Sequence, residues 1–246
     1  MKRKVGILLI ISTLTIGALA QTWTEQGDAG DLPTTAQIIS SPGATPCRTP
    51  VTRIQGFLSA RDADMYVICI TDPDNFAAST VNLVGFDTQL FLFRCDGVGV
   101  VHNDDTGVLL QSTINNSPGC IPSPGVYLLA ITRYNLDPAD VLGQLLWNDA
   151  PFNQIRCPDG PGRDNPMATW TGASLEGGLY TIALQGAYFV SSCQSDLNQD
   201  GVVDDSDLLT VLFAFGSSGC PADVNRDGIV DDSDLLTVLF AFGSSC

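Results

Sequence analysis

The sequence predicts a mainly β protein in which a β-sandwich or jelly-roll-like domain precedes a small α-helical domain. Up to residue 204 the apolar runs are short, rich in β-branched and aromatic residues, and separated by Pro, Gly, Asn and Asp. Beyond it, one apolar helical segment occurs twice, each time directly after an acidic loop. We therefore assign residues 21–192 to the β domain and residues 193–246 to the helical domain.

The first 20 residues are predicted to be a signal peptide and not part of the fold. Residues 2–4 are basic, residues 5–19 are apolar, and Ala-Leu-Ala at 18–20 matches a cleavage site. An uncleaved anchor is the alternative, but the apolar run is shorter than the roughly 20 residues that span a membrane. We expect a secreted or cell-surface protein, cleaved after Ala20, with no membrane span once the signal is removed.

The β domain contains six runs that we predict to be strands. Turn-forming residues flank each run, and no long segment with a helical period precedes residue 204. About 170 residues are enough to bury a substantial core. The predicted strands are residues 53–58, 64–71, 86–94, 99–102, 125–132 and 178–184.

Four motifs in this domain carry a family resemblance. They are IQGFLSARDADMYV at 54–67, DTQLFLF at 87–93, NDDTG at 103–107 and PGVYLLAI at 124–131. In this order they resemble the bacterial pre-peptidase C-terminal domain, a β-sandwich attached to secreted enzymes and surface proteins. The resemblance covers about 28–135 and implies a binding or accessory role. Residues 136–177, rich in Pro, Asp and Gly, depart from it and are expected to form a long loop.

The chain ends in a nearly perfect tandem repeat. Residues 196–218 and 223–245 differ at three of 23 positions, and each copy starts with a twelve-residue acidic loop. Calcium takes oxygen ligands from loop positions 1, 3, 5, 7, 9 and 12, and glycine at position 6 allows the sharp turn. The alternative is a solvated acidic turn. We predict two Ca²⁺ ions, one held by Asp196, Asn198, Asp200, the Val202 carbonyl, Asp204 and Asp207, and the other by Asp223, Asn225, Asp227, the Ile229 carbonyl, Asp231 and Asp234.

This tail resembles a dockerin over about 194–245. Each loop lacks an entering helix, ends in Asp at position 12 and runs directly into a helix. The resemblance implies calcium-dependent folding and, in cellulosomal dockerins, docking to a cohesin. It assigns partner selection to loop positions 10 and 11, which are Asp205, Ser206, Asp232 and Ser233. The helices carry no Lys or Arg, unlike most cellulosomal dockerins.

We expect the two helices of the tail to pack against each other through equivalent residues. Leu208, Leu212 and Phe215 should contact Leu235, Leu239 and Phe242, and the position-8 residues Val203 and Val230 should face each other. Phe213 and Phe240 should then be left exposed as candidate partner contacts.

Eight cysteines follow the signal peptide, and in an exported protein an even number indicates disulfides. None lies in a CxxC motif, so zinc is not predicted. The antiparallel helices of a dockerin-like tail imply a Cys193–Cys246 bond. The alternative pairs Cys220 with Cys246.

The charge of the mature chain excludes some partners. Eight Arg face 27 acidic residues after cleavage, a net charge of −19. Nucleic acids and anionic membranes require basic surface, so neither is an expected partner. Cation binding explains part of this charge, and solubility explains the rest.

A further calcium site is an option within the sandwich. Asp87, Asp104 and Asp105 lie near strand ends, and Asp62 and Asp64 lie on another turn. The alternative is that Asp simply favours turns.

No catalytic constellation is recognisable. His102, the one histidine, is expected in a surface turn, and a G-x-S-x-G motif is absent. Trp23, Trp147 and Trp170 could stack on sugars or belong to the core.

Three functions remain. The first is a non-catalytic exported protein whose tail attaches it to a cohesin-like or other surface protein. The second is a secreted hydrolase, most simply a glycoside hydrolase, or a subunit of a polysaccharide-degrading assembly. The third is a structural component of the cell surface.

Overall fold

A computed structural model describes residues 21–173, 175–217, 221–225 and 229–246. The chain is mainly β, as predicted, and in this part of it thirteen strands precede two helices. The elements are β1 (Thr22–Thr24), β2 (Gln37–Ile38), β3 (Arg53–Ala60), β4 (Ala63–Ile70), a 3-10 turn (Pro73–Asn75), β5 (Ala77–Ser79), β6 (Thr88–Arg94), β7 (Gly99–Asn103), β8 (Thr113–Asn115), β9 (Gly125–Arg133), β10 (Leu136–Ala139), β11 (Thr169–Gly172), β12 (Glu176–Gln185), β13 (Ala187–Tyr188), α1 (Asp205–Ala214) and α2 (Asp232–Ala241).

All six predicted runs are strands, namely β3, β4, β6, β7, β9 and β12. Sequence analysis missed the other seven strands, which have at most four residues each. Segments this short contain too few residues to show an alternating pattern.

Two sheets pack face to face. One has the order β1-β3-β12-β5-β8, and the other has the order β13-β4-β9-β6-β7 with β2 also paired to β4. Alternate residues of β3, including Ile54 and Leu58, are buried, and they share one apolar cluster with Tyr66 and Ile68 of β4. This cluster is the core between the sheets.

The second sheet is buried on its outer face as well. Met65 and Val67 of β4 and Phe91 of β6 belong to a second apolar cluster, which includes Trp147 and Met167. The last two residues come from 136–177, where β10 and β11 form an antiparallel pair. The expectation of a long loop was therefore only partly right: residues 140–168 contain no helix or strand, but β10 and β11 flank them. Isolated apolar residues between turns gave no periodic signal, yet together they cover the sheet.

The tail consists of two capped helices around a small core. Asp204 and Asp231 are the N-caps, and each forms a capping box with the Asp three residues later. The core is formed by apolar residues at equivalent positions of the two copies. Its four fully buried members are Val203, Val211, Val230 and Val238.

The expected helix contacts were only partly right. Leu208 and Leu235 pack against the core, but Leu212, Phe215, Leu239 and Phe242 are about half exposed. Asp207 and Val211 are both buried and lie one helical turn apart on α1. They therefore define its buried face, and Leu212, the next residue, points away from it. Val203 and Val230 share the core, but the Val203 amide donates to the Ser244 carbonyl at 3.0 Å, not to the other valine.

Three disulfides join Cys47 to Cys69, Cys120 to Cys157 and Cys193 to Cys246. Cys95 is disulfide-bonded as well. The Cys193–Cys246 bond agrees with the dockerin-like scheme and rules out the alternative, whose Cys220 lies outside the described residues.

Within the described ranges, neither helix is long or apolar enough to cross a membrane.

The different burial of adjacent helical residues gives a test. Val211→Ala should lower the free energy of unfolding of the tail by about 2 kcal/mol, because it removes fully buried methyl groups and leaves a cavity. Leu212→Ala, at a half-exposed position, should cost less than half as much. Urea unfolding followed by the helical circular dichroism signal measures both. Equal losses would contradict the packing described here.

Candidate cation-binding sites

The first tail loop closes around Asp196, which is fully buried. Its Oδ1 accepts a hydrogen bond from the Asp200 amide at 3.0 Å, and its Oδ2 accepts one from the Gly201 amide at 2.9 Å. Gly201 has a φ of 95°, a conformation that side chains with a Cβ resist. Burial raises the pKa of Asp196, and these hydrogen bonds oppose the rise.

Asp207 joins the end of the loop to its start. Its Oδ1 accepts from the amides of Leu197 at 2.7 Å and Asn198 at 3.1 Å, and its Oδ2 accepts from the Asp204 amide at 2.9 Å. Asp207 is also the third residue of α1. Closing the loop and starting the helix therefore depend on one carboxylate.

The second loop repeats this arrangement. Asp234 is fully buried and accepts from the amides of Val224 at 2.7 Å, Asn225 at 3.1 Å and Asp231 at 2.9 Å. Asp223 is buried and Ile229 is exposed. Asp227 and Gly228 lie outside the described residues, so the predicted ligand at position 5 is not placed.

The predicted ligands of the first loop are close but not gathered into one cage. Asp200 Oδ1 accepts from the Val202 amide at 3.0 Å, and Asp200 Oδ2 accepts from Asn198 Nδ2 at 2.9 Å. Because Asn198 points its Nδ2 at Asp200 Oδ2, this hydrogen bond must break before both side chains can offer oxygens to one ion. The donor set still fits calcium, since it is all oxygen and Asp207 Oδ2, which accepts one amide, keeps a further lone pair, whereas Asp207 Oδ1 already accepts two amides.

The residues assigned to partner selection are accessible. Asp205, Ser206, Asp232 and Ser233 are exposed at the first two positions of the two helices. Phe213 and Phe240 are 86% and 87% exposed, as predicted.

The first loop is also held at the junction with the β domain. The Ser191 amide donates to Gln199 Oε1 at 2.7 Å, and Gln199 Nε2 donates to the Asp196 carbonyl at 2.7 Å. Leu197 and Gln199 line a cleft together with Tyr127 of β9. The second copy has Arg226 in place of Gln199, so the repeats are not equivalent here.

The β domain gathers acidic side chains at two places within the described residues. Glu25, Asp28 and Asp64, here named the Asp64 cluster, each place one oxygen within 4.8 Å of the others. Both Glu25 oxygens accept backbone amides, from Ala29 at 3.1 Å and from Phe57 at 2.8 Å. Sequence analysis named Asp64 but missed Glu25 and Asp28.

A hydrogen-bond chain ends at Asp64. The Tyr180 hydroxyl donates to Asp64 Oδ2 at 2.6 Å, and the Tyr66 and Tyr180 hydroxyls are 2.5 Å apart. Burial raises the pKa of Asp64 to about 8, although the Tyr180 hydrogen bond opposes the rise. Asp62, the other predicted member, accepts from the Ser59 amide instead.

The second group, here named the Asp104 cluster, consists of Asp87, Asp104 and Asp105. These are the three residues that sequence analysis singled out. Asp104 is only 3% exposed. The Oδ1 atoms of Asp87 and Asp104 are buried and have no hydrogen-bond partner among the described residues. Burial and the neighbouring carboxylates raise the pKa of Asp104 to about 8 and that of Asp87 to about 6.

The expectation that His102 lies in a surface turn was wrong. His102 is on β7, 4% exposed, and its ring stacks on Phe91 with centroids 4.4 Å apart. Burial lowers its pKa to about 3. The insertion covers this strand, which sequence analysis could not foresee.

The three tryptophans are used in the structure of the β domain. Trp147 is 3% exposed in the outer cluster, so it cannot stack on a sugar. Trp23 Nε1 donates to Gln37 Oε1 at 2.9 Å, and Trp170 Nε1 donates to the Asp31 carbonyl at 2.5 Å.

No family model and no curated protein matches this chain. Any proposal for its function therefore starts from the sites described above.

The raised pKa of Asp64 predicts a stability change with pH. The folded state holds this proton more tightly than the unfolded state, whose pKa is near 3.8, so stability contributed by the protonated form is lost as pH rises from about 4 to about 8. Asp64→Asn, which can still accept from Tyr180, should reduce this loss. Urea unfolding in chelator at several pH values measures it, with Asp164→Asn, at an exposed position outside the Asp64 cluster, as the control. An unchanged slope in Asp64→Asn would contradict the assignment.

Proposed function

We propose that this chain is an exported, non-catalytic calcium-binding protein with a dockerin-like tail. In this proposal the tail folds around two Ca²⁺ ions and attaches the protein to a partner, while the β domain is a binding or accessory module. The observation that carries the proposal is the duplicated loop arrangement. Asp207 and Asp234 are fully buried and accept the same three amide hydrogen bonds in the two copies.

The chain's own residues couple ion binding to folding. Calcium supplies a double positive charge that takes six to eight oxygens. The carboxylates at positions 1 and 12 are buried, so they repel each other when nothing balances their charge. Asp207 also belongs to the capping box at the start of α1. Neutralising the charge of this carboxylate therefore favours both the closed loop and the helix that carries Val211.

The proposed attachment surface occurs once on each copy of the repeat. Asp205 and Ser206 begin one helix and Asp232 and Ser233 begin the other, all exposed. The exposed Phe213 and Phe240 add an apolar side chain to each copy. A cohesin-like or other surface protein is the proposed partner, and the disulfides suit the oxidising environment that export through residues 1–20 would provide.

A buried histidine argues against a hydrolase that uses a histidine base, as in a Ser-His-Asp triad. His102 is stacked on Phe91 and its pKa is lowered to about 3, so it is poorly suited to act as a general base near neutral pH.

Calcium binding by the tail is the first test. The double variant Asp196→Ala/Asp223→Ala should bind two ions fewer than the wild type and lose the calcium-induced gain in helical signal and melting temperature. At 100 times the dissociation constant, each lost site removes about 2.7 kcal/mol. Isothermal titration calorimetry and circular dichroism measure both effects.

The matched control is Asp205→Ala/Asp232→Ala. It removes the same charge from position 10 of each loop, which is not a predicted ligand position. This variant should retain both ions. Equal calcium binding by the two double variants and the wild type would overturn the proposal.

Attachment is tested separately with purified cohesin domains. Binding should require calcium and should fall at least tenfold when Ser206→Tyr and Ser233→Tyr are combined, because bulky side chains then block both helix starts. Either substitution alone should change affinity only about twofold if the two faces are interchangeable. Surface plasmon resonance with and without chelator measures this, and no binding to any cohesin would remove that partner class.

A further inference from the structure

The Asp104 cluster lies where two neighbouring strands of the second sheet end. Leu90 of β6 pairs with Asn103 of β7, so the residues just before β6 and just after β7 meet at one edge. Asp87 precedes β6, and Asp104 and Asp105 follow β7. One oxygen from each lies within 4.8 Å of the other two. Ligands of a cation that binds oxygen at roughly 2.4 Å are at most roughly 4.8 Å apart, so the spacing of the three oxygens is compatible with one shared ion.

The backbone around the cluster is fixed without using the carboxylates. Asn103 Nδ2 donates to the Asp105 carbonyl at 2.9 Å, and Asn103 Oδ1 accepts from the Thr113 amide at 2.9 Å. The Asp105 amide donates to the Phe152 carbonyl at 3.0 Å, which ties the insertion to the same turn. The acidic side chains are thereby positioned by their neighbours.

An independent observation points to a ligand. Asp104 is 3% exposed, and its Oδ1, like that of Asp87, is buried without a hydrogen-bond partner in the described part of the chain. Leaving such oxygens unpaired is costly, and a bound cation removes the cost. Asp137 and Asp149 add negative charge around Asp104, whereas Arg133 offsets part of the charge at Asp87.

We infer that Asp87, Asp104 and Asp105 bind one divalent, oxygen-preferring cation of the calcium type in the β domain. The three ligands are all carboxylates, and the ring of neighbouring His102 stacks on Phe91, so the donor set favours calcium over zinc. The ion joins the start of β6, the end of β7 and, through the Asp105–Phe152 hydrogen bond, the insertion. This site is separate from the tail loops and does not depend on the function proposed for them.

Counting bound calcium in the full, disulfide-bonded chain tests the inference. Asp104→Asn should bind one ion fewer than the wild type in equilibrium dialysis. Asp164→Asn, which removes an equal charge at an exposed site near the opposite ends of β6 and β7, should bind as many ions as the wild type. Adding Asp104→Asn to Asp196→Ala/Asp223→Ala should remove one further ion.

The outcomes separate this site from the tail. An unchanged ion count in Asp104→Asn would overturn the inference and leave the tail proposal intact. A count that falls in Asp104→Asn but not in the tail double variant would support the inference and overturn the tail proposal. Misfolding is checked by melting in chelator, where Asp104→Asn should be at least as stable as the wild type because it replaces a buried carboxyl group with an uncharged amide of similar shape.

Terbium luminescence gives a second readout that locates the ion. Tyr134 adjoins the cluster, because its amide donates to the Asp87 carbonyl at 3.2 Å, and residues 193–246 contain no Tyr or Trp. In the tail double variant, calcium should displace terbium and so reduce the tyrosine-sensitised emission. Adding either Asp104→Asn or Tyr134→Phe should reduce the emission severalfold. Tyr134→Phe should still bind the same number of ions. Emission that is unchanged by Asp104→Asn would contradict the inference.

Discussion

A sheet that is apolar on both faces determines how the β domain is arranged. One face of the second sheet packs on the first sheet, and the other must be covered by something else. Residues 136–177 supply that cover, with Trp147 contacting the rings of Phe91 and Phe93 at centroid distances of 5.6 and 5.8 Å. The same covering segment reaches the end of β7, where the Phe152 carbonyl accepts the Asp105 amide. Burial of the sheet and formation of the Asp104 cluster are therefore linked.

The tail depends on different interactions. Its apolar core is small, and the same short segment buries Asp196, Asp207 and Asp234. Hydrophobic burial alone is a weak source of stability at this size, so ions and covalent bonds gain importance. A disulfide across a separation of 53 residues contributes roughly 4 kcal/mol through the entropy of loop closure. The β domain combines two of the described disulfides with a large core, whereas the tail combines one disulfide with a small core.

Much of this arrangement follows from local sequence. Long alternating or apolar runs predict the six principal strands, and the acidic loop with its capping Asp fixes where each helix starts. Asp87, Asp104 and Asp105 could be named because carboxylates next to strand ends become neighbours when the strands pair. Periodicity and turn chemistry act over a few residues, and a single sequence records them directly.

Most of the failures at the candidate sites concern contacts between segments distant in the chain. Glu25 reaches the Asp64 cluster because β1 pairs in parallel with β3, with Thr24 opposite Gln55, and nothing near Glu25 signals this. His102 is buried by an insertion that begins more than thirty residues later. Leu212 and Val211 are both apolar helix residues, and only the direction of the loop decides which one is buried.

The Cys193–Cys246 bond has a consequence for resistance to proteolysis. It encloses the whole tandem repeat in one covalent ring. A protease that cuts the tail once, anywhere between these cysteines, opens the ring but releases no fragment. Both pieces remain joined, so the helices can reassociate and both copies stay connected to the β domain. Two cuts, or one cut followed by reduction, are needed to detach part of the tail.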